Sequence, residues 1–281
     1  MNEVSNNNNH VPFNNINQGT VAVESSRAIT EAQGKLLLAK QFPRNYTNCY
    51  ATAIEACQRK GFADKAFFAY PRGGQTVTGV TIRFAEELAR CYGNIDYGFK
   101  ELSHEEGKSE MQAYAWDLET NTISVQNFTV EHITETRQGN RKLTSQRDVY
   151  ERTANDASRR VRSRILAILP PDLVEDCIKE CKKTLAGQNG IPFKDKVKNM
   201  VVAFAKYGVT KEMLEKRLDH TVESISEDEL TEYIGIFNGL AQKETTVSDW
   251  FEQPKTASQM TALLEEAEKE EKEKVQKEEK K

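Results

Sequence analysis

The 281-residue chain contains no run approaching 18 apolar residues, which excludes a transmembrane helix on sequence grounds. Cysteine is scarce: five residues, an odd number without framework spacing, exclude a disulfide scaffold and fit a reducing compartment. The four histidines, His10, His104, His132 and His220, are scattered, and none is spaced from a Cys or carboxylate pair as a metal ligand would be. G-x-S-x-G, H-E-x-x-H, a Walker A loop and the Rossmann glycine fingerprint are all missing. The adjacent pairs Glu86–Glu87 and Glu105–Glu106 diverge on a helix or sit in a loop, and they make no acid–base couple. The sequence therefore reads as non-enzymatic, with no cofactor and no metal. The opening stretch, MNEVSNNNNHVPFNN, lacks a basic-then-apolar pattern, so no secretory signal is expected and the expected location is the cytoplasm.

What is present is polar. Mean hydropathy is −0.68, and eight of the first 20 residues are Asn. Residues 1–24 read as a disordered Asn-rich arm, because such a tract buries too little to offset its ordering entropy. Beyond it, Ile29, Ala32, Leu36 and Ala39 recur at spacings of three and four up to Pro43, predicting a helix. A second helix is expected over 46–60. The aromatic run at Phe67, Phe68 and Tyr70 predicts a short buried strand, followed by a turn or flexible loop at Pro71–Gly74. Thr78 is the expected cap of a third helix carrying Val80, Phe84, Leu88 and Cys91.

Three strands are expected over 94–102, 110–118 and 123–132, the last two joined by the turn ETNT. Alternation sets Gln112, Tyr114 and Trp116 on one face of the middle strand and Met111, Ala113 and Ala115 on the other. A polar loop, 136–145, leads into a long helix over 147–169 that Pro170 and Pro171 close. The remainder reads as helical: Ser226 and Glu229 form a capping box, Trp250 and Phe251 an end anchor, and Cys177 with Cys181 buried helix packing. The fold class is α+β: a small antiparallel sheet packed with helices, one long and Arg-rich, then a small C-terminal helical unit. Expected divisions are an α+β core over 25–186, a helical module over 190–252 and a charged tail over 253–281, disordered or helical.

Charge is uneven. Residues 1–169 carry 21 basic and 19 acidic side chains, whereas 170–281 carry 18 and 24. Between 137 and 164 stand nine basic residues, Arg137, Arg141, Lys142, Arg147, Arg152, Arg159, Arg160, Arg162 and Arg164, against Asp148, Glu151 and Asp156. Arg152, Asn155, Arg159 and Arg162 share one helix face, and Val149, Ala157, Val161, Ile165 and Ile168 line another. Guanidiniums arrayed this way fork onto phosphate oxygens; the alternative is a solvated face paired with carboxylates. The stretch YPRGGQTVTG, 70–79, offers glycine amides and Arg72 to an anion, or is simply a mobile connection. Tyr70 and Trp116 are candidate base-stacking rings, with core packing as the competing role.

Taken together, AKQFPR, VTGVTIRFAEELAR, WDLETNT and the Arg-rich helix ending ANDASRRVRSRILAILPP resemble phage single-strand annealing proteins of the RecT/Redβ kind. The resemblance spans roughly 32–185, and YGVTKEMLEKRLDH with DWF extends it into the helical unit. It implies ATP-independent binding and annealing of single-stranded DNA in phage recombination, in the bacterial host cytoplasm. It implies a homo-oligomeric ring or helical filament, and partners such as a phage exonuclease and the host single-strand binding protein, with no membrane. It assigns the DNA groove to Arg72, Arg83, Arg152, Arg159, Arg160, Arg162 and Arg164. Asp156 departs from a purely basic groove, and its spacing of four from Arg152 and Arg160 suits it to organise those two. The other readings are a non-annealing single-strand binder, a structural or assembly protein whose Arg-rich helix is a subunit interface, and a nuclease, for which a carboxylate cluster is missing.

Overall fold

The computed structural model describes residues 18–73, 75–136, 139–187, 192–242 and 245–252. Residues 1–17 of the expected arm, the expected tail and Arg137 lie outside them. The fold is mixed α+β. In chain order the elements are α1 (Gln18–Gln41), α2 (Tyr46–Cys57), α3 (Lys60–Ala63), β1 (Phe67–Arg72), β2 (Gln75–Val80), α4 (Ile82–Tyr92), β3 (Ile95–Glu105), β4 (Lys108–Asp117), β5 (Thr122–Glu131), β6 (Ile133–Thr136) and β7 (Gly139–Lys142). Helices follow: α5 (Gln146–Ile168), α6 (Pro171–Ala186), α7 (Phe193–Ala205), α8 (Lys211–Leu218), α9 (Glu227–Ala241) and α10 (Val247–Trp250). None of the helices is long and apolar enough to cross a membrane, among the described residues.

The compact units do not follow sequence order. Among the described residues one comprises 18–53 and 85–174, the other 54–84 and 175–252, so the β1–β2 hairpin groups with the C-terminal helices.

In the first unit, β3, β4 and β5 form an antiparallel sheet in that order. Tyr97 pairs with Ala115 and Ser124 with Ala115, so the alternating register sends Met111, Ala113 and Ala115 to one face and Gln112, Tyr114 and Trp116 to the other. α5 packs on the first face. Its buried residues, Val149, Thr153, Ala157, Val161 and Ile165, recur every fourth position and form one stripe. Ala157, small on the helix side, packs against Met111 and Val130 of the sheet, with Phe128 beside them. Thr153 completes the stripe by donating its hydroxyl to Val149 O at 2.7 Å, which satisfies a polar group inside it.

The AKQFPR and WDLETNT stretches are explained by one buried cluster. Arg44, just after α1, binds both carboxylate oxygens of Asp117 through its two Nη atoms, and Nε donates to Glu119 Oε1 at 2.9 Å. The Arg44 backbone amide donates to the same Glu119 oxygen, and its guanidinium lies 4.1 Å from the Tyr92 ring centre. Asn94 donates to Glu119 and to Phe42 O. Burial alone would push the Asp117 carboxyl up; the Arg44 guanidinium outweighs it and holds the group below its ordinary value.

The second unit is built on α9. Phe204 is fully buried, with Tyr233, Phe237 and Phe251 edge-on around it at 5.8, 5.9 and 5.7 Å. β1 lies directly on α9. A Cβ at Gly235 would meet the Phe68 carbonyl carbon at 2.9 Å and the Ala69 nitrogen at 3.0 Å, so glycine is what permits the approach. Asn238 donates to Asp64 O and Phe67 O, satisfying backbone acceptors at the start of the strand. The expected capping box holds: Ser226 N donates to Glu229 Oε2 at 2.7 Å and Glu229 N to Ser226 Oγ at 3.2 Å. Trp250 and Phe251 are buried as the expected anchor, and Cys57, Cys177 and Cys181 are fully buried and form no disulfide.

Four local expectations are corrected. Residues 18–24, expected within the disordered arm, are helical and open α1, no proline interrupting the run. Thr78 does not cap a helix: 75–80 is strand β2, and α4 begins after Thr81, whose Oγ1 accepts from Phe84 N at 3.3 Å. Pairing of Phe68 with Gly79 drew the segment into a ladder, overriding its cap-like threonine. The polar stretch 136–145 is not loop throughout, since β6 and β7 pair across it as a two-stranded ribbon. The expected helix over 46–60 ends at Cys57, and Lys60–Ala63 forms a separate short turn of helix.

Candidate nucleic-acid interface

α5 presents its basic side chains on two flanks of the buried stripe. On one flank Asp156 gathers Arg152 and Arg159: Arg152 Nε lies 3.2 Å from Asp156 Oδ2, and Arg159 Nη1 lies 3.9 Å from Oδ1. Asp156 therefore organises its neighbours, with Arg159 in place of the Arg160 that spacing suggested. Arg160 instead donates to the Asp156 backbone carbonyl at 3.2 Å.

On the other flank the arginines reach over β5. The Arg160 guanidinium sits 4.6 Å from the Phe128 ring centre, and Arg164 Nη1 donates to Ser124 Oγ at 3.2 Å. Ser124, Gln126 and Phe128 share the helix-facing side of β5, an edge strand of the sheet. The sequence reading missed these β5 residues. The period-2 alternation of the strand held the signal, but which face met the helix was not decided by it.

The guanidiniums are fixed without being saturated. The Nε atoms of Arg152, Arg160 and Arg164 are buried with no aligned hydrogen-bond acceptor among the described residues; the Arg152–Asp156 approach is an ion pair too bent to serve as one. Buried Nε atoms meet no ligand, so what α5 offers is the outer part of these side chains: Arg152 is 41% exposed and Arg159 59%. From 152 to 164 the helix rises about 18 Å at ~1.5 Å per residue.

The other candidate residues are placed as follows. Arg159 is exposed, and Arg152, Arg160, Arg162 and Arg164 are half-buried. Arg141 and Lys142 are exposed on β7, and strand alternation turns them to opposite faces of the ribbon, so they do not act as one patch. Arg72, opposite Gln75 at the tip of the β1–β2 hairpin, and Arg83, exposed on α4, belong to the second compact unit. Tyr70 is half-buried, stacked on Phe68 at 5.8 Å and packed against the core of that unit. Trp116 is half-buried on the sheet face away from α5, where its indole N–H donates to Asn121 Oδ1 at 3.0 Å. The structure therefore brings together the α5 arginines and leaves Trp116 out of their surface. In comparisons with protein-family models, curated proteins and solved structures, nothing matches this chain.

Proposed function

We propose that the chain binds single-stranded DNA along the arginine-bearing surface of α5 and anneals complementary strands without a nucleotide cofactor, as a phage recombination protein. The observation that carries the reading is the flank of guanidinium donors on α5, Arg152 and Arg159 with Arg162, that stays outside the buried stripe, the Arg152 and Arg159 side chains being 41% and 59% exposed. Such donors suit phosphate oxygens, which dominate affinity for nucleic acid and carry no sequence information. The separation of Trp116 from this surface supports a backbone-tracking mode over base stacking. Base edges then stay free to pair with a second strand, as annealing requires. One row of contacts is screened by salt near physiological ionic strength, so holding a strand while a partner finds register calls for many linked copies. The exposed apolar side chains of α1 and the following segment, Val23, Ile29, Leu38 and Phe42, suit contacts between copies.

The test combines two measurements on wild type and on an Arg152→Ala/Arg159→Ala/Arg162→Ala variant. Binding to an unstructured oligonucleotide is followed against salt, and annealing of two complementary oligonucleotides is followed without ATP. The variant is expected to lower the log–log salt slope by about two at ~0.7 per lost contact, with native circular dichroism. An unchanged slope in the folded variant removes α5 from the binding surface. Binding without annealing by wild type leaves the accessory-binder reading in its place.

A further inference from the structure

His104 and Ser109, paired across the β3–β4 turn, meet His132 where the basic ribbon joins the sheet. Ser109 Oγ, fully buried in β4, lies 2.8 Å from His132 Nε2 and 3.2 Å from His104 Nδ1. His104 Nδ1 lies 2.9 Å from Glu101 Oε1, and the two imidazole rings are 5.1 Å apart. The contact between Ser109 and His132 has the spacing of a nucleophile and its base, but a fully buried hydroxyl meets no substrate. Nor does the cluster form a metal site among the described residues.

Its position gives it another role. His132 is 5% exposed and sits between β5 and β6. Its amide donates to Gly107 O in the β3–β4 turn at 2.8 Å, and its carbonyl accepts from Leu143 N, just past β7, at 2.8 Å. The residue therefore pins both ends of the β6–β7 ribbon, which carries Arg141 and Lys142, to the sheet.

Proton counting shows when the pin holds. In the closed arrangement His104 Nδ1–H donates to Glu101, and the one Ser109 hydrogen, which the Glu101 carboxylate also attracts, is turned to His132 Nε2. The His104 side chain is 47% exposed beside a carboxylate, whereas His132 is buried, and a proton on His132 changes the cluster. Nε2 becomes a donor, Ser109 must turn its hydrogen away, and a buried cation sits 5.1 Å from the His104 ring.

We propose that His104, Ser109 and His132 form an acid-released latch, closed while His132 is neutral and accepting from Ser109, and opened when His132 takes up a proton, so that the base of the basic ribbon comes free. The latch stands on this geometry whatever the ribbon binds. Burial first, and then the charge of His104, keep His132 below its ordinary value of 6.5, while Glu101 opposes them weakly. The other ionisable groups nearby are Lys108 and Glu131, paired across β4 and β5, Lys142 opposite Ile133, and Asp148, Glu151 and Arg152 in the first turns of α5. None of these is among the causes acting on His132. A depressed folded value means that the stabilisation is present above 6.5 and is lost as pH falls through the lower folded value.

The test is amide hydrogen exchange in the full chain between pH 7.5 and 5.0, corrected for intrinsic exchange. Protection over 133–136, 139–142 and Leu143 is expected to fall about tenfold below pH 6.5 while Ala113 and Ala115 in β4 keep theirs. His132→Gln, whose amide oxygen still accepts from Ser109 but cannot become charged, is expected to abolish the step. The same step in His132→Gln, no step in wild type, or a uniform loss across the sheet overturns the latch. Should that variant fail to fold, nuclear magnetic resonance titration of wild type decides. His132 titrating below 6.5 together with the ribbon amides supports the latch, and titration at or above 6.5, or uncoupled from them, overturns it.

Discussion

Arg44 and Asp117 form a two-pronged ion pair at 1% and 4% side-chain exposure, joining the segment after α1 to the end of β4. Removing one partner of such a pair leaves the other charge buried and unmatched. Arg44→Ala is therefore expected to destabilise the first unit by about 3–5 kcal/mol. Arg44→Lys is expected to recover little of that loss, since an ammonium cannot hold Asp117 and Glu119 together through a planar fork. Urea unfolding monitored by circular dichroism measures both, and a loss under 1 kcal/mol for Arg44→Ala would contradict the keystone role.

Gly235 is expected to tolerate no side chain. Alanine there overlaps the backbone of β1, which cannot swing aside as a side-chain tip can. Gly235→Ala should cost about 1–3 kcal/mol. Gly34, with nothing near a built Cβ, serves as the control: Gly34→Ala on α1 should be neutral or stabilising by up to about 1 kcal/mol. Thermal unfolding of the two variants in parallel checks the contrast.

Asp156 restrains Arg152 and Arg159 while opposing phosphate. Replacing it with Asn removes a negative charge from the α5 surface without touching the buried stripe. Under the DNA-binding reading, Asp156→Asn should tighten single-strand binding by up to about fivefold, the range of a partly exposed ion pair. Fluorescence anisotropy with a labelled oligonucleotide reads this directly. Weaker binding would mean that orientation of the arginines by Asp156 matters more than its charge.

The second unit carries its own pH dependence at Glu229. The Ser226 backbone amide and then His220 hold this carboxyl down to about 2. Glu229 in turn raises His220 above its ordinary 6.5 across a 3.0 Å contact. The depressed carboxyl contributes stability above 4.5 that disappears as pH falls toward 2, and the raised imidazole contributes stability below 6.5 that disappears as pH climbs through its folded value. These two groups should make the unit most stable between those limits, and His220→Gln should flatten the alkaline limb. Side-chain titration by nuclear magnetic resonance, followed with amide protection in α9, tests the signs.

Much of this was decided within short stretches of sequence. The fourfold spacing of Val149, Ala157, Val161 and Ile165 sets the buried side of α5 and so determines which arginines remain outside. Alternation along 108–117 and the turn at 118–121 define the β4–β5 hairpin, and Ser226 with Glu229 starts α9, because each rests on neighbours within one helical turn or one strand pairing. Other features came from contacts that no local pattern encodes. Arg44 reaches carboxylates 73 and 75 residues away, and Ser109 lies between histidines 5 residues before it and 23 after it. β1 joins helices more than 160 residues later, which is why Gln75–Val80 became a strand despite its glycine and threonines. Burial of charges and the choice of sheet face depend on what packs across the chain, so only the tertiary structure could separate Trp116 from the α5 arginines and bring His104 to His132.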